Sequence, residues 1–336
     1  MDYRVILFVD SSMIGGIETH LIEISKLLAK NNVPSIILFY KDHGNKAFYT
    51  LLDNESIKYD FAQGNVGNFL KKLRQYNEKI VIHTHGYKAG IVARVVCKLY
   101  RYHCVSTYHA GETGEGRVRF YNKIDKLLSF LSINFAVSDN IAKSIKNSTL
   151  LENFISIPSE TKPKQITKAL KVGFVGRLSH EKGPDIFCKL SSMMQADARI
   201  QFHVFGDGPH KNDVTNSQNI KYHGLTNRNN IWEHLDVLLI CSREEGLPMT
   251  LLEAISENTL IVSSPVGAIP TIIKNKKNGF LMTKGNIEDC KHNLDLILKM
   301  TPQQKVIMLE TAKKMLEERF SGKKQFALLD KAYRKE

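Results

Sequence analysis

Short apolar runs rich in β-branched residues alternate with longer amphipathic stretches along almost the whole chain. The runs that predict strands are 3–9, 34–40, 79–84, 103–108, 133–137 and 154–157 in a first series, and 170–175, 199–205, 236–241 and 259–263 in a second. Amphipathic stretches at 17–30, 87–100, 139–147, 184–195 and 248–257 predict helices between them. Because strands that alternate with helices form βαβ units, the pattern predicts an α/β protein with parallel sheets.

The two series of strands are separated by a polar stretch, SETKPKQITK at 159–168, whose composition is typical of an interdomain linker. The sequence therefore predicts two similar, Rossmann-like, doubly wound domains, at 1–160 and 169–300. The tail at 301–336 has no strand pattern, and we expect helices there that pack back toward the N-terminal domain. A length of 336 residues agrees with about two domains.

Composition narrows the class of protein and of partner. No uninterrupted apolar stretch of membrane-spanning length occurs, the N-terminus does not resemble a signal peptide, and the five scattered cysteines predict reduced thiols in a cytoplasmic protein. A net charge of +13 indicates an anionic partner, which could be nucleic acid, anionic lipid or a phosphorylated small molecule. Neither zinc-finger spacing nor an aromatic RNA-binding motif is present, so a nucleic-acid partner has no support beyond charge.

Ligands of open α/β sheets bind beyond the carboxyl ends of the strands, and three such loops carry candidate chemistry. The first has Gly15-Gly16 directly before a predicted helix. Adjacent glycines allow a ligand to approach the backbone, and free N–H groups at a helix start attract anions. A tight strand-to-helix turn explains the same pair equally well.

The second loop, GRLSHEKGPDIF at 176–187, places Arg177 and Lys182 five residues apart. Two cations beside the carboxyl end of a strand suit a diphosphate, with Arg as a planar fork and Lys as a mobile point charge. Considered alone, two basic loop residues are usually solvated surface.

The third loop is SREEGLPMTLLEA at 242–254. Pro248 suits a first helical turn, and Leu247 offers no side-chain cap, so a phosphate could take the first N–H groups of the helix. Glu245 before the helix and Glu253 in its second turn could then grip hydroxyls on either side of a diphosphate. If this segment is considered alone, Glu245 and Glu253 are better interpreted as an ordinary loop residue and an ordinary surface residue.

The ordered set of motifs resembles the retaining glycosyltransferases of family 4, which have the GT-B fold of two Rossmann-like domains facing a cleft. Three motifs carry the resemblance: Gly-Gly-x-Glu after the first strand, Gly-Arg-Leu-x4-Lys-Gly after the linker, and Glu-x7-Glu in the third loop. Supporting matches are HTHG at 83–86, YHAGE at 108–112, VSDNIA at 137–142, FGDGP at 205–209, SSPVGAIP at 263–270 and NGF at 278–280. The chain departs from the family pattern at Ser159-Glu160, Ala268 and Thr271.

The resemblance implies a nucleotide-sugar donor bound mainly by the C-terminal domain. Arg177 and Lys182 would hold the diphosphate and stabilise charge on the departing nucleotide. Glu253 would bind the ribose hydroxyls and Glu245 the hydroxyls of the transferred sugar. The catalytic group would thus be Arg177, Lys182 and Glu245, joined by His109 from the N-terminal domain.

The remaining assignments also follow from the resemblance. Further donor contacts, mostly from the backbone, would come from Gly15, Gly16, Gly246, Met249 and Thr250. His109 matches the histidine that approaches the donor hexose, and Glu18 falls on the acceptor side.

We expect no cofactor and no metal, because the chain has no Asp-x-Asp and the family does not use a metal to bridge the diphosphate. His83, His85, His103 and His109 are close in sequence, but they fall on or after different strand ends, and we do not interpret them as a metal site.

Two basic and apolar segments are candidates for contact with an anionic membrane surface. Residues 87–101 place Arg94, Lys98 and Arg101 on one predicted stripe, and 117–130 mixes four basic residues with aromatic and leucine side chains. A plain exposed helix with its apolar side in the core explains the second segment nearly as well.

The sequence predicts a hexosyltransferase that uses a nucleotide sugar and a polysaccharide or lipid-linked acceptor in bacterial envelope-glycan synthesis, on the inner face of the cytoplasmic membrane. An epimerase or phosphorylase of similar architecture is a less favoured alternative. From a different class, the chain could be a catalytically silent scaffold subunit that kept the fold.

Overall fold

The computed structural model describes residues 2–11, 15–109, 116–157, 169–226 and 230–335, and includes the backbone without the side chains of residues 116–118. Its strands are β1 (Tyr3–Val9), β2 (Ser35–Phe39), β3 (Tyr59–Phe61), β4 (Lys79–His85), β5 (His103–Tyr108), β6 (Ile133–Ala136), β7 (Ser148–Leu150), β8 (Leu170–Val175), β9 (Ile200–Phe205), β10 (Ile220–Gly224), β11 (Val237–Ile240), β12 (Leu260–Ser263) and β13 (Phe280–Leu281). Its helices are α1 (Gly16–Lys30), α2 (Lys46–Asn54), α3 (Val66–Leu73), α4 (Tyr87–Tyr100), α5 (Gly116–Leu127), α6 (Asp139–Ser144), α7 (Pro184–Met193), α8 (Lys211–Thr215), α9 (Met249–Ser256), α10 (Ile269–Ile272), α11 (Ile287–Lys299), α12 (Pro302–Phe320) and α13 (Lys323–Arg334). Short 3-10 helices lie at Leu128–Leu131, His180–Lys182 and Trp232–His234.

The chain forms two compact units, unit 1 (Met1–Ser156 with Gly322–Glu336) and unit 2 (Ile157–Ser321). Unit 1 has a seven-stranded sheet in the order β3-β2-β1-β4-β5-β6-β7, and unit 2 a six-stranded sheet in the order β10-β9-β8-β11-β12-β13. The described strand pairs are parallel in both sheets. The predicted fold class, α/β with doubly wound parallel sheets, is confirmed. The predicted linker at 159–168 lies outside the described residues.

The first strand shows how the sheet of unit 1 acquires helices on both faces. Successive side chains of a strand point to opposite faces, and β1 places Val5, Leu7 and Val9 in one apolar cluster and Ile6 and Phe8 in another. A strand buried on both faces reads as a continuous apolar run, which is why YRVILFV does not alternate with polar residues.

The run at 154–157 is the one predicted strand that the structure contradicts. Phe154 and Ile155 are buried, as an apolar run should be, but the segment joins no sheet. The N–H of Ser156 donates to the Glu23 carboxylate at 2.5 Å, so a side chain takes the place of a strand neighbour. The seventh strand of the sheet is β7, which the pattern did not predict because it is short and polar.

The C-terminal tail is divided between the units. Helix α12 packs in unit 2, where Met308 joins the apolar core, whereas α13 packs in unit 1 through Leu329 and Tyr333. The Tyr333 hydroxyl lies 2.8 Å from Nδ1 of His83 on β4, so α13 reaches a buried polar group of the sheet.

Candidate active site

The carboxyl edge of the unit 2 sheet has a topological switch point between β8 and β11. From β8 the chain winds outward through β9 and β10, and from β11 it winds the other way through β12 and β13. Loops that leave two neighbouring strands in opposite directions open a crevice between them, which is where open α/β sheets bind ligands. The second and third candidate loops of the sequence follow β8 and β11.

The loop after β8 carries the two predicted diphosphate cations. Arg177 is exposed, and Lys182 ends the short 3-10 helix His180–Lys182 with its side chain about one-third exposed. Gly183 follows with φ of +71°, and a Cβ there would lie 2.4 Å from the carbonyl oxygen of Cys241. The backbone after Lys182 is therefore in direct contact with the end of β11, and only glycine fits at this position.

Lys182 and Glu245 form the centre of the site. The Lys182 ammonium lies 2.7 Å from both carboxylate oxygens of Glu245, and the Ser242 hydroxyl donates to one of them at 2.6 Å. The carboxylate of Glu245 is nearly buried. The two residues predicted to hold the diphosphate and the sugar are thus brought together, and in this structure they pair with each other.

A second ion pair joins the loop after β11 to the first turn of α7, which directly follows the loop that carries Lys182. Arg243 forms a two-pronged pair with Asp185, at 2.8 and 2.7 Å, and also donates to the His180 carbonyl. The hydrogen bonds from Arg243 lower the pKa of the Asp185 carboxyl, which keeps it charged. Bidentate geometry fixes orientation as well as distance, so this pair sets the position of the loop that carries Lys182. Sequence analysis did not single out either residue.

Helix α9 begins at this edge as the sequence predicts. Its N-cap is Pro248, and no side chain caps it, so the start of the helix at Met249 and Thr250 is available to an anion. Glu253 is on α9 and is buried. A third loop supports the turn before the helix, because a Cβ at Gly267 (φ +57°) would lie 2.2 Å from the Glu245 carbonyl oxygen, and the Ala268 N–H donates to the Gly246 carbonyl.

In unit 1, the predicted residues after β1 are engaged with one another. Gly15 is the N-cap of α1, and its N–H donates to the Glu18 carboxylate at 2.7 Å. Ser11 donates to the other oxygen of the same carboxylate. Glu18 is buried, and burial raises the pKa of its carboxyl. Among the described residues, no atom lies within 4 Å of the position that a Cβ at Gly16 would take. That these glycines contact donor phosphates stays a prediction.

His109 follows β5 and is half-buried, with Nε2 2.9 Å from Nδ1 of His85. His83 and His85 are on β4 and His103 is on β5, and His20 of α1 packs edge-on against His109. Burial lowers the pKa of His83, His85 and His109 well below the ordinary value, and that of His20 to about 4, so these imidazoles are neutral at pH 7. His20 was missed by sequence analysis because nothing in its spacing distinguishes it from other residues of an amphipathic helix.

The predicted basic stripe on residues 87–101 is wrong at Arg94. This guanidinium is fully buried, and its Nη1 lies 2.5 Å from the Asp125 carboxylate of α5. Its Nη2 donates to the Tyr108 hydroxyl at 2.6 Å, and its Nε to the Ser132 hydroxyl at 2.9 Å. Lys98 and Arg101 are exposed, as expected of a surface stripe. Arg94 faces inward because α5 and the 3-10 helix after it cover that face of α4.

Two family models match successive parts of the chain. Residues 14–149 match the model described as glycosyltransferase family 4, and residues 157–315 match glycosyl transferases group 1. Together with the two doubly wound sheets, these matches place the protein among the GT-B glycosyltransferases. The chain belongs to glycosyltransferase family 4, and it is an enzyme of that class.

Relatives and solved structures agree with this assignment. The chain is 27% identical over 307 residues to the O-antigen biosynthesis glycosyltransferase WbnH of Escherichia coli, with 86% of this chain and 88% of that one covered. It is 25% identical over 307 residues to the E. coli UDP-Gal:alpha-D-GlcNAc-diphosphoundecaprenol alpha-1,3-galactosyltransferase, covering 78% and 76%. The crystal structure of Anabaena HepE in complex with UDP-glucose superposes with a TM-score of 0.80 at 19% identity, covering 97% and 99%. That structure supports the fold. Among the described helices, none is long and apolar enough to cross a membrane.

Proposed function

We propose that this glycosyltransferase moves a hexosyl group from a nucleotide sugar, with retention of anomeric configuration, to a polysaccharide or lipid-linked acceptor. The pathway is the assembly of a bacterial envelope glycan such as O-antigen, capsule or lipopolysaccharide. Support for the acceptor class comes from the names of two relatives, an O-antigen transferase and a galactosyltransferase that acts on a diphosphoundecaprenol-linked sugar. The UDP-glucose complex of a structural neighbour makes UDP the first nucleotide to test.

The observation that carries the proposal is the cluster of Lys182, Glu245 and Ser242 at the switch point, beside the uncapped start of α9. A diphosphate would offer Lys182 a more highly charged partner than Glu245, and Arg177 on the same loop would add a second cation. Once Lys182 turns to phosphate, the Glu245 carboxylate becomes an acceptor for sugar hydroxyls, still oriented by Ser242. Donor binding thus exchanges the partner of Lys182 and prepares Glu245 in one step.

Transfer with retention then follows on one face of the sugar. The bond from the anomeric carbon to the diphosphate oxygen breaks, the acceptor oxygen forms its bond to the same face, and the acceptor proton passes to the departing diphosphate. Lys182, Arg177 and the start of α9 stabilise the charge that develops on that leaving group. His109 would contact the hexose. Glu18 can serve the acceptor side only by releasing Ser11 or Gly15, which hold both of its oxygens.

No divalent metal is proposed to bridge the diphosphate, because the cations of unit 2 supply that charge. Transfer measured after dialysis against a chelator should therefore be no lower than transfer before it. A loss of transfer that Mg²⁺ or Mn²⁺ restores would contradict this part of the proposal.

The test begins with the donor. UDP-, GDP-, dTDP- and ADP-linked hexoses are screened by thermal shift, and the preferred donor should raise the melting temperature, by an amount that grows with the logarithm of its concentration. Nucleotide release is then measured with the preferred donor and a short lipid-diphosphate sugar as acceptor, and the anomeric configuration of the product is read by NMR. Binding without turnover across an acceptor panel would favour the scaffold alternative, and an inverted product would overturn retention.

The basic and apolar side chains of α4, α5 and the 3-10 helix Leu128–Leu131, here called the α4–α5 face, support attachment to an anionic membrane surface. Its large exposed apolar side chains are Val95, Leu99, Tyr100, Phe120, Tyr121, Leu127 and Phe130. Lys98, Arg101, Arg119 and Lys123 are exposed among them. Aromatic and basic residues on one helical surface suit a headgroup interface, and a lipid-linked acceptor would be presented there. Localisation on the inner face of the cytoplasmic membrane is part of this proposal.

Flotation with vesicles of phosphatidylglycerol and phosphatidylcholine tests the attachment. The protein should float with anionic vesicles and remain at the bottom with pure phosphatidylcholine. Absence of binding to either vesicle would reject the membrane proposal while leaving the transfer reaction untouched.

A further inference from the structure

Three histidines from three different elements of unit 1 converge on one buried point. His20 is on α1, His85 is the last residue of β4, and His109 follows β5. His20 and His85 are fully buried, and His109 is half-buried. Each ring offers one nitrogen to the cluster, and the three nitrogens all lie within 4.8 Å of one another.

The arrangement of the rings matches that of a transition-metal site. Ring centroids are 4.7 Å apart for His20 and His109, 5.6 Å for His20 and His85, and 5.2 Å for His85 and His109. Three imidazoles at a tetrahedral Zn²⁺ with Zn–N bonds of about 2.0–2.1 Å have centroids roughly 5 Å apart and nitrogens roughly 3.3 Å apart. To bind a metal, Nδ1 of His85 and Nε2 of His109, now hydrogen-bonded at 2.9 Å, would move slightly apart, and the nitrogens now up to 4.8 Å from one another would move closer.

One ring nitrogen of the cluster has no described partner. Nε2 of His85 is buried and makes no hydrogen bond to any described residue, although Nδ1 of the same ring is hydrogen-bonded to Nε2 of His109. His20 is buried and has the Asn153 side chain as its hydrogen-bonding neighbour. Buried polar atoms normally find partners, and each exception calls for an explanation such as a ligand or an unseen water. His83 is different, because Tyr333 and Thr107 take both of its nitrogens.

We propose that His20, His85 and His109 form a binding site for Zn²⁺ or a similar borderline-soft transition metal. Imidazole is a preferred ligand of such metals, and three protein ligands with one open position are an established zinc arrangement. This metal is no part of the diphosphate site of unit 2. A bound metal would occupy the imidazole of His109, so Zn²⁺ should inhibit transfer, a consequence that rests on the proposed function.

The binding test uses Co²⁺, whose tetrahedral complexes absorb visible light, on the full-length metal-free protein. Co²⁺ should bind with a stoichiometry of one and give intense d–d bands, which Zn²⁺ should abolish by displacement. His20→Phe and His109→Gln should each weaken binding at least about 100-fold, since even the loss of an outer-shell partner costs a metal site 10–100-fold. His292→Gln, at an exposed histidine of α11, is the matched control and should bind as wild type does.

Far-UV circular dichroism identifies a variant that fails to fold, and the half-buried position of His109 makes its variant the safer of the two. Absence of the d–d bands in wild type, or bands that persist in the folded His109→Gln protein, would overturn the metal site. Site-specific Co²⁺ binding with full transfer activity in the presence of Zn²⁺ would support the site and contradict the assigned role of His109.

Discussion

The two units share one architecture and use their polar residues in opposite ways. In unit 2 two ion pairs lie at the carboxyl edge of the sheet, Lys182 with Glu245 and Arg243 with Asp185 of α7, and each pair has at least one side chain partly open to solvent. In unit 1 the corresponding polar residues are buried. Arg94 is paired with Asp125, Glu18 accepts a hydrogen bond from the N-cap residue of α1, and His20 and His85 are buried at the carboxyl edge of the sheet.

Because the charged groups differ in burial, similar residue types have different roles in the two units. A partly solvated ion pair contributes little to stability and can exchange its partner for a ligand at small cost. In a buried ion pair each charge depends on its partner, because removing one partner leaves a desolvated, unpaired charge that lowers stability. Substitution of Lys182 or Glu245 in unit 2 should therefore affect mainly donor binding and turnover, and substitution of Arg94 or Asp125 in unit 1 should affect mainly stability.

The largest effect is expected at Arg94. Arg94→Met removes the cation and leaves the buried Asp125 carboxylate unpaired, which should lower the free energy of unfolding of unit 1 by about 3–5 kcal/mol. Urea unfolding followed by circular dichroism measures this loss. Trp232 is the one tryptophan of the sequence and lies in unit 2, so its fluorescence reports that unit separately. Lys98→Met, one turn further along α4 and exposed, should change stability by less than about 0.5 kcal/mol. If Arg94→Met lowered the free energy of unfolding by less than about 1 kcal/mol, the contrast drawn between the ion pairs of the two units would be wrong.

Lys182 should show the opposite behaviour. Lys182→Ala removes a cation proposed to stabilise the leaving diphosphate, and kcat should fall by about 10²–10³-fold, as for loss of one preorganised donor to a developing charge. The free energy of unfolding should fall by less than in Arg94→Met, because the Lys182 side chain is one-third exposed, so water can enter where it was, and Ser242 still donates to Glu245. Lys299→Ala, an exposed lysine at the end of α11, serves as the control for turnover. If Lys182→Ala were unstable and its folded fraction fully active, the pair would be structural.

How much could be predicted from the sequence depends on whether a feature is set by a local pattern or by contacts distant in sequence. The bounds of β1, α4, β5 and β8 were predicted to the residue, since long periodic runs carry their own signal. The loops of unit 2 were also predicted, because a glycine or a charge directly after a strand end is a local pattern. The partners of Arg94, Asp125 and Ser132, are 31 and 38 residues away on elements whose packing the helical period does not specify. The contact of His20 with His85 and His109 was not predicted for the same reason, because these residues are distant in sequence and lie on different elements.

A substitution at Gly183 tests whether the position of the loop that carries Lys182 depends on its contact with the end of β11. Gly183→Ala would place a Cβ against the Cys241 carbonyl in a backbone conformation that already disfavours side chains. We expect unit 2 to lose about 1–3 kcal/mol of stability, read by Trp232 fluorescence, together with a smaller donor-induced thermal shift. Gly285→Ala is the matched control, because Gly285 has a similar φ of +74° and no atom of the described residues lies within 4 Å of its Cβ position. Equal losses in the two variants would show that backbone strain alone, without the contact to β11, accounts for the effect.

The smallest effect concerns the α4–α5 face of unit 1, where basic residues are exposed among apolar side chains. Lys123→Gln on the α4–α5 face should weaken partition onto vesicles containing phosphatidylglycerol by about fivefold, because each basic residue near an anionic surface contributes about 1 kcal/mol. Lys314→Gln on α12 removes an equally exposed lysine from unit 2 and should leave partition unchanged. Raising the salt concentration should erase the difference between the two variants, since screening weakens exposed charges first. Equal weakening by both substitutions would mean that the net charge of +13, and no particular face, attracts the protein to the membrane.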